Sequence, residues 1–199
     1  LEIVKVINDL IKINNISNVL DIGTTSDNNE SSNIIVKSLH NIKDFSSISD
    51  QKITSTFFKK ILQKSITEEF TEDEVENFKS DLVISNATIE HVGSFENQKK
   101  MMKNIIRLTS KVLIVATPNR YHPFDFHTKL PLIHWLPKNI HRKILKLIGL
   151  SFYSEEKNLN LLSKNDFIEL IDDQEIQYRF KFTKFFFFNS NIIFIGFKK

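Results

Sequence analysis

Asp125 and His127 stand two positions apart in the run Phe124-Asp125-Phe126-His127. In an extended segment, residues two apart share a face. The carboxylate can then orient the imidazole while Phe124 and Phe126 anchor the other side. An imidazole oriented by an acid is a general base that can take a proton from a hydroxyl. His91, in Ile89-Glu90-His91, competes for that role. A third place of interest is Asp21-Ile22-Gly23-Thr24. There a glycine after an apolar run lets the backbone approach a ligand, and the free N–H groups of a following helix can receive it. The chain has only four glycines, so one at this position is informative.

The segment 118–137 around the Asp–His pair has no regular periodicity, and stretches of that length are usually binding loops or lids. It also holds His122, His134 and the one tryptophan, Trp135. Aromatic side chains with a few polar groups suit a small-molecule pocket. The spacings of His122, His127, His134 and Asp125 match no compact zinc pattern and no helical i, i+4 pair. No metal site is assigned on that basis, and His134 and Trp135 read as residues that pack the loop.

Such groups need a scaffold, and the apolar pattern describes one. Val19-Leu20-Asp21-Ile22-Gly23 reads as a buried strand ending in a turn, with Ile34, Ile35 and Leu39 following at helical spacing. Residues 42–48 read as a second strand, 50–63 as a helix and 65–70 as a short third strand. Residues 81–85 are a clear strand, residues 95–106 place one apolar face on a helix, and 111–116 form the next strand, stopped by Pro118. An amphipathic helix is expected over 138–148. Ser163 and Asp166 form a capping-box-like start for another. Two strands close the chain near 176–183 and 191–197. The phenylalanine run 185–188 reads as a strand buried on both faces. Alternating strands and helices predict an α/β fold: a Rossmann-like three-layer sandwich with a mainly parallel sheet. Two consecutive strands at the end add an antiparallel C-terminal hairpin.

Composition narrows the function. Hydrophobic residues make up 41% of 199 residues, enough for the core of one domain spanning 1–199. The absence of cysteine excludes disulfides, thiolate zinc sites and a cysteine nucleophile, and fits a cytoplasmic location. The net charge of +3 is dispersed along the chain and gives no nucleic-acid footprint. No apolar run is long enough for a membrane span. Lys138, Arg142 and Lys146 share one face of the 138–148 helix, which would suit peripheral contact with an anionic membrane, although a solvated face is the simpler reading. The chain opens at Leu1 and not Met, which leaves room for a preceding segment.

Taken together, three segments are similar to those of one family. Residues 19–23 resemble the first motif of class I S-adenosylmethionine (SAM)-dependent methyltransferases of the small, ubiquinone-biosynthesis-like type. Asp81-Leu-Val-Ile-Ser-Asn-Ala-Thr-Ile-Glu-His91 resembles its fourth-strand motif, and 117–137 resembles a segment of one bacterial subgroup. The resemblance covers roughly residues 16–197. It implies that Gly23 passes beneath the methionine part of SAM with Asp21 and Thr24 beside it. Asn86 and Ala87 would line the cofactor, and Glu90 and His91 would stand at the mouth facing the substrate.

Three positions depart from the family pattern. Thr25 replaces a second glycine. Ser47 aligns with the acid that usually grips the ribose, with Asp44 and Asp50 nearby. Ser65 aligns with the acid that usually meets the adenine. A hydroxyl offers less than a carboxylate at such sites.

The expected reaction is direct displacement: an acceptor hydroxyl on a small molecule attacks the activated methyl, with His127, Asp125 and His91 on the acceptor side. A membrane-associated quinone-like acceptor is the runner-up, and a catalytically silent binding module is a rival from another class. A nucleotide-binding oxidoreductase is disfavoured because the chain lacks Gly-x-Gly-x-x-Gly.

Overall fold

The computed structural model describes residues 2–27, 32–171 and 176–198. Among them, seven strands form one sheet in the order β3-β2-β1-β4-β5-β7-β6. The strands are β1 (Asn18–Ile22), β2 (Asp44–Ser49), β3 (Lys60–Gln63), β4 (Ser80–Asn86), β5 (Thr109–Pro118), β6 (Gln177–Phe185) and β7 (Phe188–Phe197). All pairings from β3 across to β5 are parallel, and β7 is antiparallel to both β5 and β6. The expected mainly parallel sandwich with an antiparallel C-terminal hairpin is therefore the observed fold.

Both faces of the sheet are covered, which explains the near-continuous apolar runs of its central strands. Successive side chains point to opposite faces. Leu20, Ile22, Val83, Leu113 and Val115 meet Met101, Met102 and Ile105 of α4 (Phe95–Leu108) and Phe167 of α7 (Lys164–Leu170). Val19, Leu82, Ile84, Val112 and Ile114 meet Val6, Ile7 and Leu10 of α1 (Glu2–Ile13), with Ile35 and Val36 of α2 (Ile34–Lys37). The α7 helix starts as expected: the Ser163 hydroxyl accepts from the Asp166 N–H, and the Asp166 carboxylate accepts from the Ser163 N–H at 2.6 Å. The remaining helices are α3 (Glu72–Phe78), α5 (Lys138–Leu147) and the short α6 (Ser151–Ser154).

Three sequence expectations fail locally. Residues 50–63 are not a helix. Their end is β3, which pairs with β2 from Ser46↔Lys60 to Ser49↔Gln63. Ile53 and Phe58 are buried in the same cluster as α1 and α2, and the open edge of β2 takes its hydrogen-bond partners from residues 60–63. Residues 65–70 are consequently not the third strand. They turn back from β3, with Ile66 and Phe70 buried and the Asn104 amide donating to the carbonyls of Ile66 and Glu68. The phenylalanines at 185–188 are not a buried strand. They form the tip of the β6–β7 hairpin, where Phe186 takes φ +53° and Phe187 is 92% exposed.

The α5 helix matches its expected span. Of the three cations expected on one face, two engage the protein itself: Lys138 Nζ donates to Asn160 Oδ1 at 2.7 Å and Arg142 pairs with Glu156 at 3.1 Å. No helix among the described residues is long and apolar enough to cross a membrane.

Candidate active site

In open parallel sheets ligands bind beyond the carboxyl ends of the strands, where the strand order reverses. Here the reversal lies between β1 and β4, and a cavity of about 440 Å³ opens there. The turn after β1 supplies Gly23, Thr24 and Thr25, the end of β2 supplies Ser49, Asp50 and Gln51, and the segment after β3 supplies Ser65, Ile66 and Thr67. Ala87, Thr88 and His91 close it from the end of β4. A smaller cavity of about 220 Å³ lies on the other side of the Gly23 and Ala87 backbones and is lined by Asp21, Asn33 and Asn86.

The turn is held by a relay of hydroxyls. Ser47 Oγ donates to Thr24 Oγ1 at 2.7 Å, Thr24 Oγ1 donates to Asp21 Oδ2 at 2.6 Å, and Ser49 Oγ donates to the Thr24 carbonyl at 2.7 Å. Burial pushes the Asp21 carboxyl up to about 6, against the pull of the Thr24 hydrogen bond. Gly23 adopts φ +85°, and a Cβ there would lie 2.2 Å from Thr88 Oγ1. The glycine is thus required by the chain's own packing. Thr25, at the position of the expected second glycine, is tied at its N–H to Asn33 Oδ1 at 3.0 Å.

The structure places one expected cofactor-binding residue away from both cavities. Ser47 lies fully buried inside β2, opposite Asp21, and lines neither cavity. The residue at the strand's open end is Asp50, three positions on. The strand runs to Ser49, one residue past its expected end, so that Asp50 follows it directly. Ser65 does line the cavity, from the segment after β3. Ala87 is held in the left-handed region at φ +53°, with its N–H donating to the Ala116 carbonyl.

The loop after β5 is organised around Asp125. One carboxylate oxygen accepts from the His127 N–H at 3.0 Å and faces His127 Nδ1 at 3.2 Å. The other accepts from the Thr128 hydroxyl at 2.6 Å. Burial works to raise this carboxyl, but the bonds from His127 and Thr128 outweigh it and hold it well below the usual carboxylate range. The expected Asp–His pair therefore exists. Its phenylalanines do not share one anchoring role: the Phe126 ring stacks on His122 at 4.8 Å, whereas Phe124 is partly exposed.

His134 and Trp135 pack the loop as expected, with His134 Nε2 and Trp135 Nε1 both on the His122 carbonyl. Burial holds His134 below its usual range and pushes His141 of α5 down to about 4.

Sequence reasoning left His91 and His127 as competitors, but the fold makes them neighbours. Their rings lie 5.1 Å apart, edge to face. His91 Nδ1 meets the Asn158 carbonyl at 2.7 Å. Glu90, fully buried beneath them, accepts from Thr117 Oγ1 at 2.8 Å through Oε2, while Oε1 lies 3.9 Å from His127 Nε2. Thr117 and Asn158 carried no sequence signal for this role, because only the folded loop brings them in.

No protein-family model matches this chain, and no curated protein matches it. Solved structures do. Magnesium protoporphyrin IX methyltransferase (ChlM) from Synechocystis PCC 6803 with bound S-adenosylhomocysteine (SAH) is similar at 15% identity and TM-score 0.57, over 100% of this chain and 82% of that one. The methyltransferase domain of bacterial CtHen1-C is similar at 14% identity and TM-score 0.61, over 98% and 95%. N-methyltransferase NodS from Bradyrhizobium japonicum WM9 is similar at 8% identity and TM-score 0.57, over 98% and 94%. The likeness is one of fold.

Proposed function

We propose that this chain is a SAM-dependent methyltransferase acting on the hydroxyl of a small molecule. The observation that carries the reading is the cavity of about 440 Å³ at the strand-order reversal. It is floored by a glycine turn, bounded by an acid at the end of β2, and adjoins a histidine pair. Its volume suits a ligand of nucleoside size. Crystallised neighbours of the same fold carry SAM or SAH, and this supports the cofactor.

In this reading Gly23, Thr24, Asn86 and Ala87 hold the methionine end, with the buried Asp21 facing it. Asp50 receives the ribose hydroxyls in place of Ser47, and Ser65 stands on the adenine side. Bound SAM supplies a methyl group already activated on a sulfonium, so positioning and exclusion of water do most of the catalytic work. With SAM bound, the acceptor oxygen would take the methyl group, the carbon–sulfur electron pair would stay on sulfur, and the hydroxyl proton would move to a base. Asp125 orients His127 through Nδ1 and leaves Nε2 on the Glu90 side for that proton. His91 is the other candidate for the base.

The dispersed charge supports a small acceptor over a nucleic acid. An acceptor with an apolar body, such as a quinone-like lipid, is favoured by one observation: Pro123 and Phe124 of the loop join the four hairpin phenylalanines in one apolar hollow.

Calorimetric titration with SAM, SAH and NAD tests the core of the reading. Binding of SAM and SAH without NAD is expected, and binding of NAD alone would overturn it.

A further inference from the structure

Glu90, His91 and His127 each offer one ligand atom, and those three atoms lie within 4.8 Å of one another. The outer contacts of all three fit a metal centre. A metal-bound histidine usually donates its other ring N–H to a carboxylate or a backbone carbonyl. His91 Nδ1 faces the Asn158 carbonyl, an acceptor only, so it carries the hydrogen and Nε2 is left with its lone pair. His127 Nδ1 faces the Asp125 carboxylate, so the same holds there. The Thr117 hydroxyl satisfies one Glu90 oxygen. The other, Oε1, is fully buried and has no hydrogen-bond partner among the described residues. It faces His127 Nε2 across 3.9 Å. Two lone pairs turned toward each other in a buried site need something positive between them.

We propose that Glu90, His91 and His127 bind a divalent first-row transition-metal ion at the mouth of the cofactor cavity. Two imidazoles and one carboxylate are a common catalytic donor set for such ions, and three protein ligands leave positions open for substrate oxygen. His91 also lines the cofactor cavity, so those open positions border the place where acceptor and methyl donor must meet. The role rests on the methyltransferase reading: the ion holds the acceptor hydroxyl and lowers its pKa. The hydroxyl proton then leaves to water, the oxygen attacks the methyl carbon, and the carbon–sulfur pair stays on sulfur. His127 is a ligand in this state and no longer the base. The spacing of the histidines in the loop gave no hint of the set, because two of its members come from the turn after β4.

The test uses the untagged, chelator-stripped protein. Mn²⁺ binding is followed by electron paramagnetic resonance and Zn²⁺ binding by calorimetry, with SAM titrated separately. One saturable ion per chain is expected, with a raised melting temperature. Glu90→Gln and His127→Gln should each weaken ion binding by about 100-fold or more, and Asp125→Asn by about 10-fold or more. SAM affinity of the Glu90→Gln protein should be retained. If neither ion saturates a site while SAM still binds, the metal proposal fails and the methyltransferase reading stands. Equal ion affinity in Glu90→Gln and His127→Gln would likewise overturn it by placing the ion elsewhere. If the ion binds but SAM does not, the metal site stands and the methyltransferase reading fails.

Discussion

Asp21→Asn is expected to stabilise the protein at neutral pH and to weaken its hold on SAM. The buried Asp21 carboxyl titrates near 6 when folded, against 3.8 for the exposed group. A carboxyl raised in this way favours the folded state when protonated. That contribution is complete below the unfolded pKa and is lost as the pH rises through the folded one. The span is about two pH units, each corresponding to about 1.4 kcal/mol, so an ionised Asp21 costs the folded state about 3 kcal/mol at pH 7.5. At pH 4.5 most folded molecules carry the proton and the cost falls to about 1 kcal/mol.

Asparagine keeps the shape and the acceptor for Thr24 but never ionises. Its extra N–H₂ group adds a constant penalty of about 1 kcal/mol. The difference in stability between variant and parent should therefore grow by about 2 kcal/mol in the variant's favour between pH 4.5 and pH 7.5. Urea denaturation at both pH values measures this directly. A difference that does not change with pH would show that Asp21 is not raised by burial and would refute the reasoning. Calorimetry on the same variant should show weaker binding of cationic SAM, with SAH, which lacks the sulfonium, less affected.

Gly23→Ala is expected to destabilise by about 2–4 kcal/mol, from the collision with Thr88 and the left-handed backbone; adding Thr88→Ala should recover part of the loss in a thermal melt, and no recovery would mean the collision does not matter. Ser47→Asp would bury a second carboxylate beside Asp21 and should lower the melting temperature without tightening SAM. Asp50→Asn should instead weaken SAM binding by about 10-fold or more with stability unchanged, and calorimetry showing the reverse pattern would restore Ser47 to the ribose site. His127→Ala should keep SAM affinity and lose turnover by about 100-fold or more; a lowered melting temperature with turnover preserved would make its role structural.

The strands β1, β4 and β5 were legible because both their faces are buried, which leaves an unbroken apolar signature. The region 50–70 was not, because β3 is a short edge strand with exposed side chains. Its apolar residues answer to the layer beneath and not to strand alternation. Ser47 reads as the end of β2 for the same reason: a polar strand hides its own end, which the fold sets at Ser49. The Asp125–His127 contact was expected from an extended segment, but it forms in a turn over 126–128 in which the Asp125 carboxylate accepts from the His127 N–H. The approach of His127 to Glu90 and His91 could not be read from the sequence, since it depends on how a long loop folds back over β4. The phenylalanine run misled because composition alone does not distinguish a core strand from a turn.

The central position of β1 bears on how the chain is made. Its first neighbour, β2, follows closely, but its second, β4, pairs through Val19↔Leu82 and must be synthesised much later. The nascent β1–β2 unit therefore leaves the ribosome with an apolar strand edge open, a surface that invites pairing with other chains until β4 arrives. Contacts this distant in sequence also slow folding. Production in cells should accordingly depend on chaperone supply and growth temperature more than the stability of the finished sheet would suggest.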